Sequence, residues 1–329
     1  YAGGGFVWKQ TLWAAVALLF LFLTVAVDYK FWLEISPYLY GLFLLVLLAL
    51  LLFGRVTAGA RSWFRLAFMG GQPSELAKIA VLLILARLFS EYRAVFVNFS
   101  FGGSAALLAG LPMAAIAFQP DIGTAFCFVP VVAGALVMAG LNRKTVVLFL
   151  VLGLAGGFLG WNVFLKDYQK TRLTTFVNPG QDPRGAGYHV LQSKIAIGSG
   201  GVDGKGFKKG TQSQLRFLPA RHTDFIFAVL GEEFGFAGVL TVFILYFLFL
   251  ARMFRSVGRS RDRAGSYITF MAACLLSFQF LVNVLMIIGL LPVTGIPIPL
   301  LSYGGSSLLA TYIAVGLVVN IQMRRFVYV

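Results

Sequence analysis

An aspartate at the edge of an apolar run has the setting in this sequence that best suits chemistry. Asp224 lies in the stretch FLPARHTDFIFAVLGEE, two residues after His222 and three after Arg221. A carboxylate where a helix begins can also act as a cap, so that structural role stays open. A basic segment precedes Asp224 and an apolar helix follows it. We therefore expect a partly desolvated carboxyl group that substrate can reach, with its pKa raised toward neutrality. These conditions predict a general base, with His222 supporting the site.

A second group of ionisable residues lies inside an apolar stretch. Glu75 and Lys78, in QPSELAKIA, are three residues apart and so share one helix face. Charges at that depth are costly, and they usually pair or mark a functional interior. Two roles stay open and are compatible: an ion pair that locks two helices, or a Lys78 ammonium that binds phosphate while Glu75 orients it.

Two short motifs add weaker candidates. GARSWFRL places Arg61 and Trp63 beside an apolar span, where an aromatic belt with interfacial arginines is the alternative to a substrate contact. FQPDIGTA places Gln119 and Asp121 at a proline-broken junction, where we expect helix capping and packing.

Glycine-rich and proline-rich segments suggest where a substrate could bind. Residues 187–214 combine many glycines with lysines, including Lys194 and Lys205, without the spacing of a Walker loop. Such a segment suits a diphosphate, although a flexible solvated loop has the same composition. Residues 289–307 are apolar but broken by Pro and Gly. Irregular backbone at membrane depth has to be buried in protein or line a cavity, so this segment predicts an outward-facing cavity.

The composition identifies a polytopic membrane protein. Hydrophobic residues make up 59% of the 329 residues and charged residues 12%. The net charge of +15 is spread between apolar spans and not along one soluble face. We therefore exclude nucleic acid and favour anionic lipid or a phosphate-bearing lipid as the partner. Cys127 and Cys274 lie inside apolar runs and read as small buried residues. No zinc, metalloprotease or serine-hydrolase motif is present.

Apolar runs predict a single integral membrane domain over residues 1–329. The basic loops LNRKT and ARMFRSVGRSRDRAG and the tail QMRRF are consistent with one cytoplasmic side. That orientation puts a large extracytoplasmic loop at 165–225, and it puts Tyr1 outside. The simplest explanation for an outside N-terminus is a tenth span, ahead of Tyr1, that is missing from this numbering. The nine predicted spans are 12–27, 37–53, 74–89, 104–118, 122–140, 145–164, 226–250, 266–289 and 307–323.

Long motifs along nearly the whole chain resemble the SEDS family of bacterial cell-wall polymerases. They include GARSW, QPSELAK, QPDIGTA, GAGYHVLQSKIAIGSGG, GTQSQ, LPARHTDFIFAVLGEE and PLLSYGGSS, in the family's order. The likeness is to RodA-like members more than to FtsW-like members, chiefly through RHTDFIF and GIPIPLLSYGGSS. One departure is Ala220, which stands where the family commonly has an acid.

The resemblance implies a ten-span peptidoglycan glycosyltransferase that acts on lipid II outside the bacterial cytoplasmic (inner) membrane. It implies that Asp224 is the essential aspartate, Glu75 and Lys78 the membrane-embedded pair, and Trp63 the loop tryptophan. It also implies a class B penicillin-binding protein as the activating transpeptidase, together with other elongation-complex proteins.

The residues suit a direct displacement at the anomeric carbon. Asp224 would act as base, and Lys78, Arg61, Lys194 and Lys205 would offset charge on the departing diphosphate. We expect no cofactor beyond a possible divalent cation, for which the sequence has no ligand cluster. The alternatives are a lipid II flippase and a noncatalytic cell-wall scaffold. A flippase would place polar groups across the whole bilayer depth, whereas these collect on one side.

Overall fold

Helices that could cross a membrane dominate the chain. Seven helices in the described part are long and apolar enough to do so, which confirms the predicted all-α polytopic class. A helix satisfies its own backbone hydrogen bonds, as a segment surrounded by lipid must. The computed structural model describes residues 5–57, 60–66, 69–92, 97, 99–140, 147, 151, 170–171, 174–176, 186–215, 217–218 and 220–326.

The chain divides into two compact units, each described by itself. The first unit comprises 2–141, 249–279 and 303–329, and the second comprises 142–248 and 280–302. In chain order the first unit begins with α1 (Gly5–Ala26), α2 (Tyr29–Glu34), α3 (Ser36–Phe53), α4 (Pro73–Glu91), α5 (Phe99–Phe118), α6 (Ile122–Phe126) and α7 (Phe128–Ala139).

The second unit carries the segment that the sequence assigned to a long loop. It contains α8 (Ala186–Gly200) and the single turn α9 (Thr211–Gln214). It also contains the larger part of α10 (Ile226–Val257), up to residue 248, and the end of α11 (Arg263–Ile287), from residue 280. The first unit closes with α12 (Gly305–Met323) and a 3-10 turn, Arg324–Phe326.

Short antiparallel strands join α3 to α4, where the sequence suggested only a loop. They are β1 (Arg55–Thr57), β2 (Ala60–Leu66) and β3 (Met69–Gly71), in the order β1-β2-β3. The register pairs Arg55 with Trp63, and Phe64 with Gly71. Pairing satisfies backbone groups that a helix no longer satisfies.

Eight of the nine predicted spans correspond to described helices, and the ninth, 145–164, lies almost wholly outside the described residues. The span predicted at 122–140 is divided at Cys127 into α6 and α7. Helix α4 has too much charge to count among the seven apolar spans, yet most of its residues are buried. It is an interior helix of the first unit. In α1, by contrast, only 6% of the most apolar stretch is buried.

Asn320 of α12 ties down the end of α1. Its side-chain amide donates to the carbonyls of Thr24 and Val25, at 2.8 and 2.9 Å, and also to that of Val27. Its carbonyl oxygen accepts from the Tyr29 amide at 3.2 Å. The last carbonyls of a helix have no partner within the helix, so a buried amide from a neighbouring helix supplies the missing cap.

Replacing Asn320 by alanine should lower stability because it leaves several buried backbone groups unpaired. We expect a loss of about 1–3 kcal/mol in the free energy of unfolding. Thermal unfolding in detergent measures it, with Val319→Ala as the control because Val319 is exposed on the same helix. Equal melting temperatures for the two variants would contradict the capping role.

Candidate active site

Asp224 lies just ahead of α10, in a turn whose backbone is held from two sides. The Asn283 side-chain amide donates to the Asp224 carbonyl at 3.0 Å. The Ser302 hydroxyl donates to the Thr223 carbonyl at 2.7 Å. Asn283 is fully buried and Ser302 is 5% exposed, so these bonds are shielded from water. The backbone that carries Asp224 is therefore held in place, which limits the positions its carboxylate can take.

The irregular segment 288–304 runs beside this turn. A Cβ placed on Gly295, whose φ is +72°, would lie 3.8 Å from a carboxylate oxygen of Asp224. Asn283 also donates to the Ile296 carbonyl at 2.6 Å, so one side chain fixes both segments. Tyr246 of α10 donates to the Pro299 carbonyl. The segment is thus held by side chains and not by helix or sheet bonds. The outward-facing cavity that the sequence predicted here stays a prediction.

Arg221 and His222 form a contact next to Asp224. Arg221 Nε donates to His222 Nε2 at 3.3 Å, and Arg221 Nη1 donates to the Ser213 carbonyl. Partial burial and the Arg221 charge lower the pKa of His222 from its ordinary value of 6.5. His222 is therefore neutral at pH 7 and able to accept the Arg221 hydrogen bond. It supports the turn without adding a charge.

Glu232, on the second turn of α10, anchors the segment before Asp224. Its carboxylate is fully buried and accepts from the Lys205 ammonium at 2.9 Å. It also accepts from the backbone amides of Gln212 and Ser213, at 2.8 and 3.1 Å. A buried carboxylate is tolerated only with such partners. Lys205 was predicted as a diphosphate ligand or a supporting residue, and its contact with Glu232 is a supporting one.

A break in α10 explains the glycine-rich segment. Gly235 has φ 61° and ψ −160°, which interrupts the helical hydrogen bonds. Residues 200–206 replace them: the carbonyls of Gly201 and Val202 accept from the amides of Phe236 and Ala237, at 2.9 and 3.1 Å. The amides of residues 205 and 206 donate to the carbonyls of residues 232 and 233, at 3.0 and 2.9 Å.

Glycine is required where the two backbones touch. A Cβ on Gly204 would lie 2.2 Å from the Glu233 carbonyl oxygen, and one on Gly200 would lie 2.0 Å from that of Gly231. Any residue with a side chain at position 200 or 204 would push the two backbone segments apart. The amides of Lys205 and Gly206, which could have bound an anion, are thus used within the protein. The predicted diphosphate cradle at this part of the segment loses those donors.

Lys194 has a different environment. It is exposed on α8, near Gly289, and makes no hydrogen bond or ion pair with any described residue. Ser193, its neighbour, is buried and donates to the Ile287 carbonyl at 2.8 Å, which fixes α8 against the end of α11. Within the described part of the second unit, the Lys194 ammonium group is therefore available for an external anion. Lys194 lies near the first residues of segment 288–304, and later residues of the same segment lie beside Asp224.

The first unit contains the other predicted pair. Lys78 donates to Glu75 at 2.8 Å, and both side chains are almost fully buried. The pair lines a small recess of about 10 Å³ together with Gln279 and Thr311. The structure brings the two charges together within α4, so the predicted ion pair is present, but its role in locking two helices stays a prediction. The phosphate-binding role stays a prediction, since the Lys78 charge is already balanced by Glu75.

Asp121, in the same unit, caps the N-terminus of α6. It accepts from the Thr124 amide at 3.2 Å and from the Gln72 side chain at 2.8 Å. Gln119 donates to the Leu47 carbonyl at 2.8 Å. The prediction of capping and packing at this proline-broken junction is confirmed. Arg61 and Trp63 lie on β2, and the predictions for their side chains fall outside the described part of the structure.

Sequence reasoning missed three residues of this site. Asn283 is an amide in an otherwise apolar helix, which is itself a sign of function or of buried hydrogen bonding. Glu232 was visible in the motif LGEE, and Ser302 in PLLSYGG, but nothing in the sequence showed what they bind. Among the described residues no group of three His, Cys, Asp or Glu side chains could hold a metal ion. The option of a divalent cation beside the diphosphate stays a prediction.

These features define an integral membrane protein with a carboxylate held at the start of one membrane helix. Comparison with known proteins makes the class specific. The family model for FtsW, RodA and SpoVE, described as cell cycle protein, matches residues 3–326. The chain belongs to this family, which confirms the resemblance to SEDS proteins.

Curated relatives agree over most of the chain. Peptidoglycan glycosyltransferase MrdB of Escherichia coli (strain K12) is 41% identical over 290 residues, which cover 88% of this chain and 78% of that protein. Peptidoglycan glycosyltransferase RodA of Treponema pallidum is 34% identical, with coverage of 96% and 89%. Stage V sporulation protein E of Bacillus subtilis is 36% identical, with coverage of 95% and 86%.

Solved structures share the fold. A chain from a structure described as "Structural coordination of polymerization and crosslinking by a peptidoglycan synthase complex" matches with a TM-score of 0.86 at 32% identity. The match covers 98% of this chain and 91% of that one. The rod shape determining protein RodA of Thermus thermophilus matches with a TM-score of 0.72 at 31% identity, with coverage of 98% and 88%.

Replacing Glu232 by glutamine should loosen the segment that it anchors. The glutamine amide turns a donor toward groups that are themselves donors, so at least one buried bond is lost. We expect the amides of Gln212 and Ser213 to exchange at least about tenfold faster in hydrogen–deuterium exchange. Glu34→Gln, on the exposed end of α2, is the control. Unchanged protection in the Glu232 variant would remove the anchoring role.

The pKa of His222 can be measured directly because the chain has two histidines. In protein with ¹³C-labelled histidine, and with His189→Gln for assignment, we expect a value below 6.5. Arg221→Gln should raise it. Since the folded-state pKa is the lower one, the stability linked to His222 is complete above pH 6.5 and is lost as the pH falls through the folded value. A wild-type pKa at or above 6.5 would contradict this account.

Proposed function

We propose that this protein is a peptidoglycan glycosyltransferase that polymerises lipid II into glycan strands during cell-wall elongation. Its family membership and its 41% identity to a peptidoglycan glycosyltransferase of Escherichia coli support the activity. The observation that carries the proposal within the molecule is the fixed backbone around Asp224. Buried Asn283 and Ser302 hold the two carbonyls that flank this carboxylate.

The reaction is a displacement at the anomeric carbon of the growing glycan, which is held as a polyprenyl diphosphate. The 4-hydroxyl of the incoming lipid II sugar attacks that carbon, and the bond to the diphosphate oxygen breaks. Asp224 takes the hydroxyl proton as general base. A single displacement inverts the anomeric centre. His222, which is neutral at pH 7, adds no positive charge of its own near Asp224.

Charge on the departing diphosphate needs a cation that is not already neutralised. The contacts of the described residues change the ranking of the lysines as diphosphate ligands. Lys78 is paired with Glu75, and Lys205 with Glu232, whereas Lys194 has no ion pair within the described part of the chain. We therefore assign Lys194 the leading role in diphosphate binding, and Lys205 a role in holding the segment before Asp224.

The site works at the extracytoplasmic face of the bacterial cytoplasmic membrane, where lipid II presents its sugars. Excess Lys and Arg in the loop between α10 and α11 and in the tail support this orientation, because such charges mark the cytoplasmic side. The partner is a class B penicillin-binding protein that crosslinks the product, within a larger elongation complex. The structural match to a complex described as coordinating polymerisation and crosslinking supports this partnership.

Asp224→Asn tests the assignment because it keeps the shape of the side chain and removes the base. We expect glycan synthesis from lipid II to fall by about 10²–10⁴-fold, the range for general-base catalysis. The purified chain with its class B partner is assayed in the presence of moenomycin, which silences bifunctional synthases. Glu34→Gln, at an exposed position of α2, is the control.

The outcome separates the proposal from its alternatives. Normal polymer length and yield from Asp224→Asn would discard the base assignment. Wild-type protein that moves lipid II across vesicles but makes no glycan would indicate a flippase. Wild-type protein that does neither, while still binding its partner, would indicate a scaffold.

A further inference from the structure

The break in α10 lies where the helix should leave the bilayer. With 32 residues, α10 is about 48 Å long at 1.5 Å per residue, well beyond the hydrocarbon thickness of about 30 Å. The part beyond Gly235 is on the order of 33 Å long, which is enough by itself to cross. Residues 236–251 of this part carry no charge, and Arg252 and Arg255 near its far end suit the opposite headgroup layer, whereas Glu232 and Glu233 lie just before the break. Gly235 therefore marks the level of the headgroups on the Asp224 side.

The segment docked on that break has to lie at the same level. Four backbone hydrogen bonds tie residues 201–206 to residues 232–237, so the two cannot separate in depth. The outward side of the segment is apolar: Val202 is 68% exposed and Phe207 is 66% exposed. Exposed apolar groups of this size are unusual on a loop that faces water.

These apolar groups continue the lipid-facing surface of α10. The Phe207 ring lies 6.2 Å from the ring of Phe234, which is itself exposed on α10. Phe236, just past the break at Gly235, is exposed as well. The Phe207–Phe234 contact therefore joins an exposed apolar side chain of the segment to the exposed apolar face of α10.

Two lysines give the segment its charge. The Lys208 ammonium lies 5.3 Å from the centroid of the Phe207 ring, and Lys209 is exposed beside it. Asp203 is the one acid of residues 201–209, so the segment is cationic overall. Lysines next to an apolar residue at a bilayer surface extend to the headgroups while their stems remain in the apolar layer.

We propose that residues 201–209 form a wedge in the headgroup layer of an anionic bilayer. Val202 and Phe207 enter the boundary of the acyl chains, and Lys208 and Lys209 contact anionic headgroups. The wedge fixes the height of the start of α10, and with it the height of Asp224, relative to the lipid surface. The inference depends on the membrane placement of α10 and not on the catalytic role of Asp224.

A nitroxide label on Phe207→Cys measures the depth directly. The label is placed on the full chain, with Cys127 and Cys274 replaced by alanine, in nanodiscs. Power saturation then compares accessibility to oxygen with accessibility to a water-soluble nickel chelate. Labels at exposed Phe247 of α10 and exposed Arg259 give the bilayer and water references. We expect an oxygen-to-nickel ratio several-fold above that at residue 259, and the same from a label on Val202→Cys.

Lipid composition tests the charges. Replacing phosphatidylcholine by phosphatidylglycerol in the nanodiscs should deepen the label at residue 207. The double change Lys208→Gln and Lys209→Gln should remove that response, while Lys30→Gln, at an exposed lysine of α2, should keep it. Water-like accessibility at both 202 and 207 in either lipid would overturn the proposal. So would a label that loses nickel accessibility only when the class B partner is added, which would make the segment a protein interface.

Discussion

The need to satisfy backbone groups at a broken membrane helix governs the second unit. Gly235 interrupts α10 and leaves amides and carbonyls without helical partners. Glu232, Glu233 and Gly235 are buried within the protein, and each buried polar group left unpaired would cost about 1–3 kcal/mol. Residues 200–206 supply the partners, and the close approach of the two backbones requires glycine at positions 200 and 204. A segment whose composition resembles an anion-binding loop therefore serves first as a structural complement to a helix.

Charge placement follows the same constraint. Two buried carboxylates, Glu75 and Glu232, each hold a lysine within 3 Å, so neither charge is left without compensation in a low-dielectric setting. Because these lysines are paired, fewer lysines are available to bind a diphosphate. Of the lysines predicted to meet a diphosphate, Lys194 retains an ammonium without an ion pair within the described residues. Among these three lysines, Lys78 and Lys205 thus form ion pairs within the protein, and Lys194 forms none with the described part of the chain.

Around Asp224, hydrogen bonds from side chains likewise hold an irregular stretch of backbone in place. The segment 288–304 has neither helix nor strand, and it is held because Asn283, Ser302 and Tyr246 bond to its backbone or to the neighbouring turn. Asn283 and Tyr246 come from the neighbouring helices α11 and α10, and Ser302 belongs to the segment itself. The neutral state of His222 belongs to this arrangement, since Arg221 uses it as an acceptor.

The sequence by itself determined the membrane class, eight of the predicted spans, the Glu75–Lys78 pair and the cap at Asp121. Each of these depends on residues close together in the chain, where helical spacing and hydropathy fix the outcome. Tertiary structure decided that Lys205 pairs with Glu232, that Asn283 holds Asp224, and that a glycine-rich segment fills the break at Gly235. Those contacts join residues far apart in sequence. Periodicity and composition do not encode such contacts, because they arise only when packing brings two segments together and buried polar groups must find partners.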